Sequence, residues 1–236
     1  MNIVIPMAGA GSRFDGYTHT PKPLIPVNGD PMILSVLNNI VGLGDKITLI
    51  ANSSYLNDQE LWESTGDYEF DVIWVNELTE GPACTALLAR DEIDNDEPLM
   101  IINCDQIIDD YDDVLLDRFA TVNGADGVIG CFLSSHPKNS YVKVDPNGLV
   151  TEVKEKIVIS NLATNGLHYW ARGEDFVASA LDMIGNDDRY NGEFYVAPTY
   201  NYMIKKGMTV LPFFYNLHWP IGTPEDLQDY EDVQNF

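Results

Sequence analysis

Arg13 and Lys22 are the only lysine or arginine residues among the first 45. They stand after a loop of small residues, Ala8-Gly9-Ala10-Gly11-Ser12, which follows the short apolar run Asn2–Pro6. Such a loop lets backbone N–H groups approach a phosphate without side-chain interference. The plainer alternative is an ordinary turn after a strand. Gly9-Ala10-Gly11 lacks both the Lys-Ser/Thr ending of a P-loop and the third glycine of a dinucleotide fingerprint. The two cations favour the phosphate. Against 37 Asp plus Glu the chain has 13 Lys plus Arg, a net charge of −24. Cations spent so sparingly, one of them fixed between prolines in Pro21-Lys22-Pro23, are expected to face something anionic.

Asp105 is the second candidate. It stands at the carboxyl end of the apolar run Leu99–Asn103, where open parallel sheets present ligands. A carboxylate there suits Mg²⁺ held partly by phosphate oxygens, and a helix cap is the competing role. The stretch Asp91–Asp117 holds 11 carboxylates and no Lys or Arg. Most of them form a solvated face, and only Asp105 is flanked by an apolar strand. Glu155-Lys156 lies at the end of a strand in the second half, where a solvent-facing pair is the plain reading. His168 and His218 read as packed or surface histidines. Cys84, Cys104 and Cys131 are odd in number and lack metal-ligand spacing, which makes them small buried hydrophobes.

These residues need a frame. Strands are expected at Asn2–Pro6, Lys46–Ala51, Phe70–Val75 and Leu99–Asn103. Helices alternate with them: an amphipathic one after Pro31 through Met32, Leu34, Val36, Leu37, Ile40 and Val41, then Leu56–Ser64 and Gly81–Arg90. Pro21–Pro26 is expected to be non-helical. After about residue 125 strands follow at Asp126–Phe132, Tyr141–Asp145, Leu149–Lys156 and Ala163–Trp170, with Asp145-Pro146-Asn147-Gly148 as a hairpin turn. Phe176–Ile184 and Phe194–Lys206 read as helices and Thr209–Tyr215 as a late strand. The fold class is α/β: a Rossmann-like, mostly parallel sheet flanked by helices, with a smaller antiparallel insert for a second ligand. One domain is expected, with its first half over about 1–125 and its second over about 126–236.

Met7-Ala8-Gly9-Ala10-Gly11-Ser12-Arg13-Phe14 followed by Pro21-Lys22-Pro23-Leu24-Ile25-Pro26-Val27 resembles the signature of the sugar-phosphate nucleotidyltransferases, the nucleoside-diphosphate-sugar pyrophosphorylases. Further matches span the chain: Glu80-Gly81-Pro82-Ala83, Asn103-Cys104-Asp105-Gln106, Glu155-Lys156, Asn165-Gly166, Gly192-Glu193-Phe194-Tyr195 and Gly222-Thr223-Pro224-Glu225-Asp226-Leu227. The Asn-Cys-Asp-Gln and Glu-Phe-Tyr-Val-Ala-Pro stretches look most like small bacterial members found with capsule or surface-polysaccharide genes. The resemblance implies that an acceptor phosphate oxygen attacks the α-phosphorus of a nucleoside triphosphate and pyrophosphate leaves. Arg13 and Lys22 would be the catalytic cations, Arg13 on the triphosphate and Lys22 at the α-phosphate. Residues 8–13, Thr79, Gly81 and Asp105 would bind the nucleotide, with Mg²⁺ on Asp105. Lys156 would contact the acceptor phosphate, with Glu155, Asn165, Gly166 and Glu193 around the rest of the acceptor.

One departure concerns the metal. Relatives carry a second metal-binding aspartate near the C-terminus, in Asp-x-Gly-Thr, and this chain has Trp219-Pro220-Ile221-Gly222-Thr223. Metal held by Asp105 and phosphates, a ligand from elsewhere such as His218, and lost catalysis all follow as readings. Three functions are weighed apart from these: an enzyme acting on a sugar 1-phosphate, a cytidylyltransferase with a non-sugar phosphate acceptor, and a dead nucleotide-binding regulatory subunit, which Pro220 permits. An NAD-dependent dehydrogenase ranks far behind for want of the fingerprint. A pI near 4.1 leaves no basic face for nucleic acid or an anionic membrane. With no membrane-length apolar run and no signal-peptide pattern, the chain is expected to be cytoplasmic. The sequence leaves the base, the acceptor and the oligomeric state open, a homo-oligomer included.

Overall fold

The structure, a computed structural model, describes residues 1–40, 46–108 and 111–234. The first half contains strands β1 (Asn2–Pro6), β2 (Pro26–Val27) and β3 (Asp30–Pro31), helix α1 (Met32–Ile40), β4 (Lys46–Asn52), α2 (Asp58–Ser64) and β5 (Asp71–Val75). It continues through α3 (Pro82–Ala86), α4 (Arg90–Ile93), β6 (Leu99–Ile102), β7 (Gln106–Ile108) and α5 (Asp113–Asn123). The second half has β8 (Gly127–Leu133), β9 (Tyr141–Val144), β10 (Val150–Lys154), β11 (Leu162–Trp170), α6 (Gly173–Gly185), α7 (Tyr200–Lys205), β12 (Val210–Phe214), β13 (His218–Pro220) and α8 (Pro224–Gln234).

A nine-stranded sheet carries both halves. β6, β1, β4 and β5 lie parallel in that order. Ile3 and Ile5 of β1 enter one core and Val4 the other. Both faces are covered, which is why these strands read as unbroken apolar runs. β11 then adds antiparallel to β6, and β8 and β9 pair with β11. β9 forms the hairpin with β10, and β12 runs parallel to β8.

The register explains where a cleft can open. β11 pairs with β6 only over Leu167–Trp170, because β6 stops at Ile102. Beyond that point Ala163 of β11 pairs with Tyr141 of β9. Between the two pairings the register against β8 shifts, between Thr164 and His168. Asn165-Gly166 occupies this irregularity, and bulges of this kind re-aim side chains beside functional sites. Gly166 has φ 78°. A Cβ there would lie 2.4 Å from Asn103 Nδ2 and 2.6 Å from Gln106 Oε1, so the position requires glycine.

Several expectations change. Pro21–Pro26 contains one 3-10 turn, Lys22–Leu24: proline fits the first turn of a short helix, where its missing N–H is no loss. The segment after Gly81 divides into α3, a 3-10 turn over Leu87–Ala89, and α4. In Phe194–Lys206 only Ala197–Lys205 is helical, as a 3-10 turn followed by α7. β10 stops at Lys154, which leaves Glu155-Lys156 in the following turn. α5, α8, β7 and β13 were not anticipated. Val41 lies outside the described residues. Among the described residues no helix is long and apolar enough to cross a membrane.

Candidate active site

The glycine loop leaves the carboxyl end of β1 and turns at Gly11, whose φ is 68°. A Cβ on Gly11 would meet Lys22 Cβ at 2.9 Å, so the loop closes directly onto the lysine stem. Gly9 has open space around it, and its lack of a side chain leaves room for a ligand. Among the described residues the amides of Gly9, Ala10 and Gly11 have no protein hydrogen-bond partner. Ser12 and Arg13 begin a 3-10 turn and are exposed. Ala8 is buried with Ala83 and Ala86 of α3 and accepts from Asn52 Nδ2 at 3.4 Å. A cleft of about 370 Å³ lies beside the loop, lined by Gly9, Gly11, Lys22, Asn52, Ser54 and Tyr55 among others.

Lys22 Nζ is 2.5 Å from Asp105 Oδ2, and Arg13 Nη2 reaches the same oxygen at 3.4 Å. These three residues, 92 positions apart at the extremes, therefore meet at one atom. Burial alone would lower the Lys22 pKa, but the Asp105 carboxylate outweighs it and raises the pKa above the usual lysine value. Burial would raise the Asp105 pKa, and Lys22 with Arg13 reverses that, holding it below the usual carboxylate range. Lys22 is thus an ammonium and Asp105 a carboxylate at neutral pH.

Asp105 is also held from behind. Its carbonyl accepts from Ile221 N at 2.9 Å, and Pro220 pairs with Gln106 across β13 and β7. A Cβ on Gly222 would lie 2.5 Å from Asp105 Oδ2. The stretch expected to supply a second carboxylate therefore packs on Asp105, and Pro220 brings no donor. His218 is mostly buried, its pKa drawn down to about 4 by burial, with Nδ1 unpartnered. Among the described residues no three His, Cys, Asp or Glu side chains cluster as a metal cage.

A second cluster gathers around Lys156. Its Nζ donates to the Tyr195 hydroxyl at 2.9 Å, which donates to Glu193 Oε2 at 2.5 Å. Glu155 Oε1 stands 3.9 Å from the same ammonium. Burial raises the Glu155 pKa, Ser140 and Lys156 oppose the shift, and Glu193 adds to it. The Ser140 hydroxyl donates to Glu155 Oε2. Asn165 is buried, its Oδ1 accepting from Leu167 N at 3.2 Å while Nδ2 has no partner.

Thr79 and Gly81 connect the clusters. Thr79 Oγ1 donates to the Gly81 carbonyl at 3.1 Å. Gly81 has φ 131°, and a Cβ there would lie 2.5 Å from the Phe194 carbonyl oxygen. Phe194 N donates to Glu80 O and Phe194 O accepts from Ala83 N, at 2.8 and 3.0 Å. Arg189 fastens the same seam, with Nη2 2.6 Å from Glu80 Oε2 and its guanidinium 3.9 Å from the Phe194 ring centre. Sequence reasoning missed Arg189 and Tyr195. Arg189 is a cation among Asp187 and Asp188, the same signal that marked Arg13. Tyr195 lies inside the Gly192–Tyr195 motif.

Residues 3–232 match the nucleotidyl transferase family model. The chain belongs to that family. It is 28% identical over 240 residues to the bifunctional protein GlmU of Methanococcus aeolicus, a match covering 97% of this chain and 53% of that protein. A match of 45% identity over 60 residues links it to 2-aminoethylphosphonate cytidylyltransferase of Lancefieldella rimae, covering 25% of this chain and 24% of that one. The chain thus spans about half the length of the first curated relative and matches a quarter of the second. The crystal structure of the nucleoside-diphosphate-sugar pyrophosphorylase from Vibrio cholerae RC9 superposes with a TM-score of 0.83 at 23% identity, covering 98% of this chain and 99% of that one. The nine-stranded α/β architecture is therefore the fold of that protein.

Proposed function

We propose that this nucleotidyltransferase joins the nucleoside monophosphate of a triphosphate to a sugar 1-phosphate, releasing pyrophosphate and a nucleoside diphosphate sugar. The observation that carries the reading is the meeting of Arg13 and Lys22 on one oxygen of Asp105 beside the glycine loop. The acceptor phosphate oxygen forms a bond to the α-phosphorus as the bond from that phosphorus to the bridging oxygen breaks. Such a displacement asks for alignment and charge neutralisation rather than a protein nucleophile. In this reading the free amides of residues 9–11 cradle phosphate oxygens and Arg13 steadies the leaving pyrophosphate. Lys22 neutralises charge building at the α-phosphate. Thr79 and Gly81 border the base, and residues 1–125 form the nucleotide half. Lys156 binds the acceptor phosphate, with Glu155, Asn165, Gly166 and Glu193 around it, in the half formed by 126–236.

A divalent ion belongs to this reading. Both cations sit on Oδ2 of Asp105, which leaves Oδ1 as a donor. One carboxylate fits Mg²⁺ completed by phosphate oxygens and water, and does not fit a protein-only cage. When bound, the ion supplies charge stabilisation at the phosphates. Asp105 would hold it and Pro220 would contribute nothing.

The 60-residue match at 45% identity supports a second reading, with CTP as donor and a phosphonate or other non-sugar phosphate as acceptor. Pyrophosphate release with five triphosphates against glucose 1-phosphate, N-acetylglucosamine 1-phosphate and 2-aminoethylphosphonate, with and without chelator, separates the two. No release from any pair, with tight triphosphate binding, would leave a regulatory nucleotide-binding subunit.

A further inference from the structure

We propose that Tyr195 is a positioning residue of the acceptor site and acts through Lys156, an inference that rests on the acceptor assignment of Lys156 above. Lys156 has φ 50°, a conformation that non-glycine residues hold only where their surroundings enforce it. Its ammonium lies 4.6 Å from the centre of the Tyr195 ring and 5.8 Å from that of Tyr190. It also donates to the Tyr195 hydroxyl at 2.9 Å. A lysine stem has four flexible bonds, and holding its head before the acceptor arrives removes an ordering cost from binding.

The hydroxyl does this better than a carboxylate in direct contact would. Glu193 accepts from it at 2.5 Å, so negative charge reaches Lys156 through a polarised phenol. Burial first, then Glu193, push the phenol pKa upward. It therefore keeps its proton for Glu193 and turns a lone pair to Lys156.

Tyr195→Phe keeps the ring and removes only the hydroxyl, and its melting temperature should match the parent. The first readout needs no substrate. Trace acylation of lysines by acetic anhydride, followed peptide by peptide by mass spectrometry, compares Lys156 with Lys154, whose side chain is 46% exposed. Labelling of Lys156 should rise several-fold relative to Lys154 in Tyr195→Phe, and by less in Glu193→Gln. Unchanged labelling in both variants overturns the proposal. The second readout is kinetic, with glucose 1-phosphate as acceptor, or 2-aminoethylphosphonate if only that compound is turned over. The acceptor KM should rise about tenfold, as for loss of one hydrogen bond to a charged group, with the triphosphate KM unmoved. Raised labelling with only the triphosphate KM affected would show that Tyr195 holds Lys156 and that the acceptor assignment is wrong.

Discussion

The two lysines of the proposed reaction are held in opposite ways. Lys22 is gripped directly by a carboxylate, on a proline-flanked turn, with a side chain only 14% exposed. Lys156 touches a neutral phenol, its nearest carboxylate oxygen is 3.9 Å away, and its side chain is 36% exposed. A direct, largely buried pair keeps its partners charged and fixed, but the ammonium must leave the carboxylate before it can serve a phosphate. The arriving triphosphate, with a cation for Asp105, is the natural replacement. An ammonium held by a phenol needs no such exchange. The glycine-loop cluster is therefore expected to depend on what is bound, and the Lys156 cluster to be ready beforehand.

The comparison breaks first at the glycine loop. Lys22→Ala, Arg13→Ala and Asp105→Asn should each lower turnover on the order of 10²–10³, the usual loss for one electrostatic stabiliser. Circular dichroism should show a folded protein, because none of the three residues lies on a strand of the nine-stranded sheet. Measured pyrophosphate release at the parent rate in Lys22→Ala would remove the mechanism. Asp105→Asn should also abolish the metal dependence of triphosphate binding, read by calorimetry with and without Mg²⁺.

The seam between the clusters comes next. Gly81→Ala asks an alanine to adopt φ 131° with its Cβ 2.5 Å from the Phe194 carbonyl oxygen. Strain at such a backbone costs on the order of 3 kcal/mol, so the urea midpoint should fall substantially. A midpoint within error of the parent would mean that the seam around Phe194 is loose and that the two clusters move independently.

How much of this could be read in advance follows from burial and from chain distance. β1, β4 and β6 were legible because strands covered on both faces are apolar throughout. α5 was hidden because it starts within the acidic run, although its ends carry the usual signals. Asp112 accepts from Leu115 N at 2.9 Å, and Gly124 closes the helix with φ 61°. β7 and β13 have three residues each, too few to show a period. Arg13, Lys22 and Asp105 stood out because cations are scarce and because an apolar strand leads into Asp105. Tyr195 did not, since its contact with Lys156 spans 39 positions, and a tyrosine beside a phenylalanine reads as core. Only the fold shows that Phe194 is buried while Tyr195 is turned toward Lys156.

Lys156→Ala sharpens the contrast. Removing the ammonium should raise the acceptor KM roughly thirtyfold, about 2 kcal/mol, in line with lost hydrogen bonds to a charged group. The triphosphate KM should stay within about twofold of the parent on the same reasoning. Initial-rate kinetics with each substrate varied in turn makes the distinction. An equal rise in both constants would dissolve the division into two clusters.

Acid should separate the regions by the smallest effect. Asp105 is stabilised as a carboxylate by Lys22, so its contribution is present above the usual aspartate range and is lost only as pH falls through its lowered folded pKa. His168 behaves differently. It lies on β11 between Ile101 of β6 and Ile129 of β8, with Nδ1 unpartnered, and burial draws its pKa down to about 3. The unfolded chain takes up a proton at this histidine near pH 6.5 and the folded chain does not, so stability falls with pH from there toward 3. One pH unit is worth about 1.4 kcal/mol for such a group. His218, held near 4 by burial, adds a share of the same sign in the same window. Between pH 7 and 5.5 the carboxylate pair is silent and the histidines respond. Urea midpoints at those two values should therefore differ in the parent. His168→Leu, which replaces an unpartnered buried imidazole with an apolar side chain of similar size, should lose about half of that difference. An unaltered pH dependence in this variant would mean that His168 finds a proton acceptor or water in the folded protein, and that His218 alone carries the acid response.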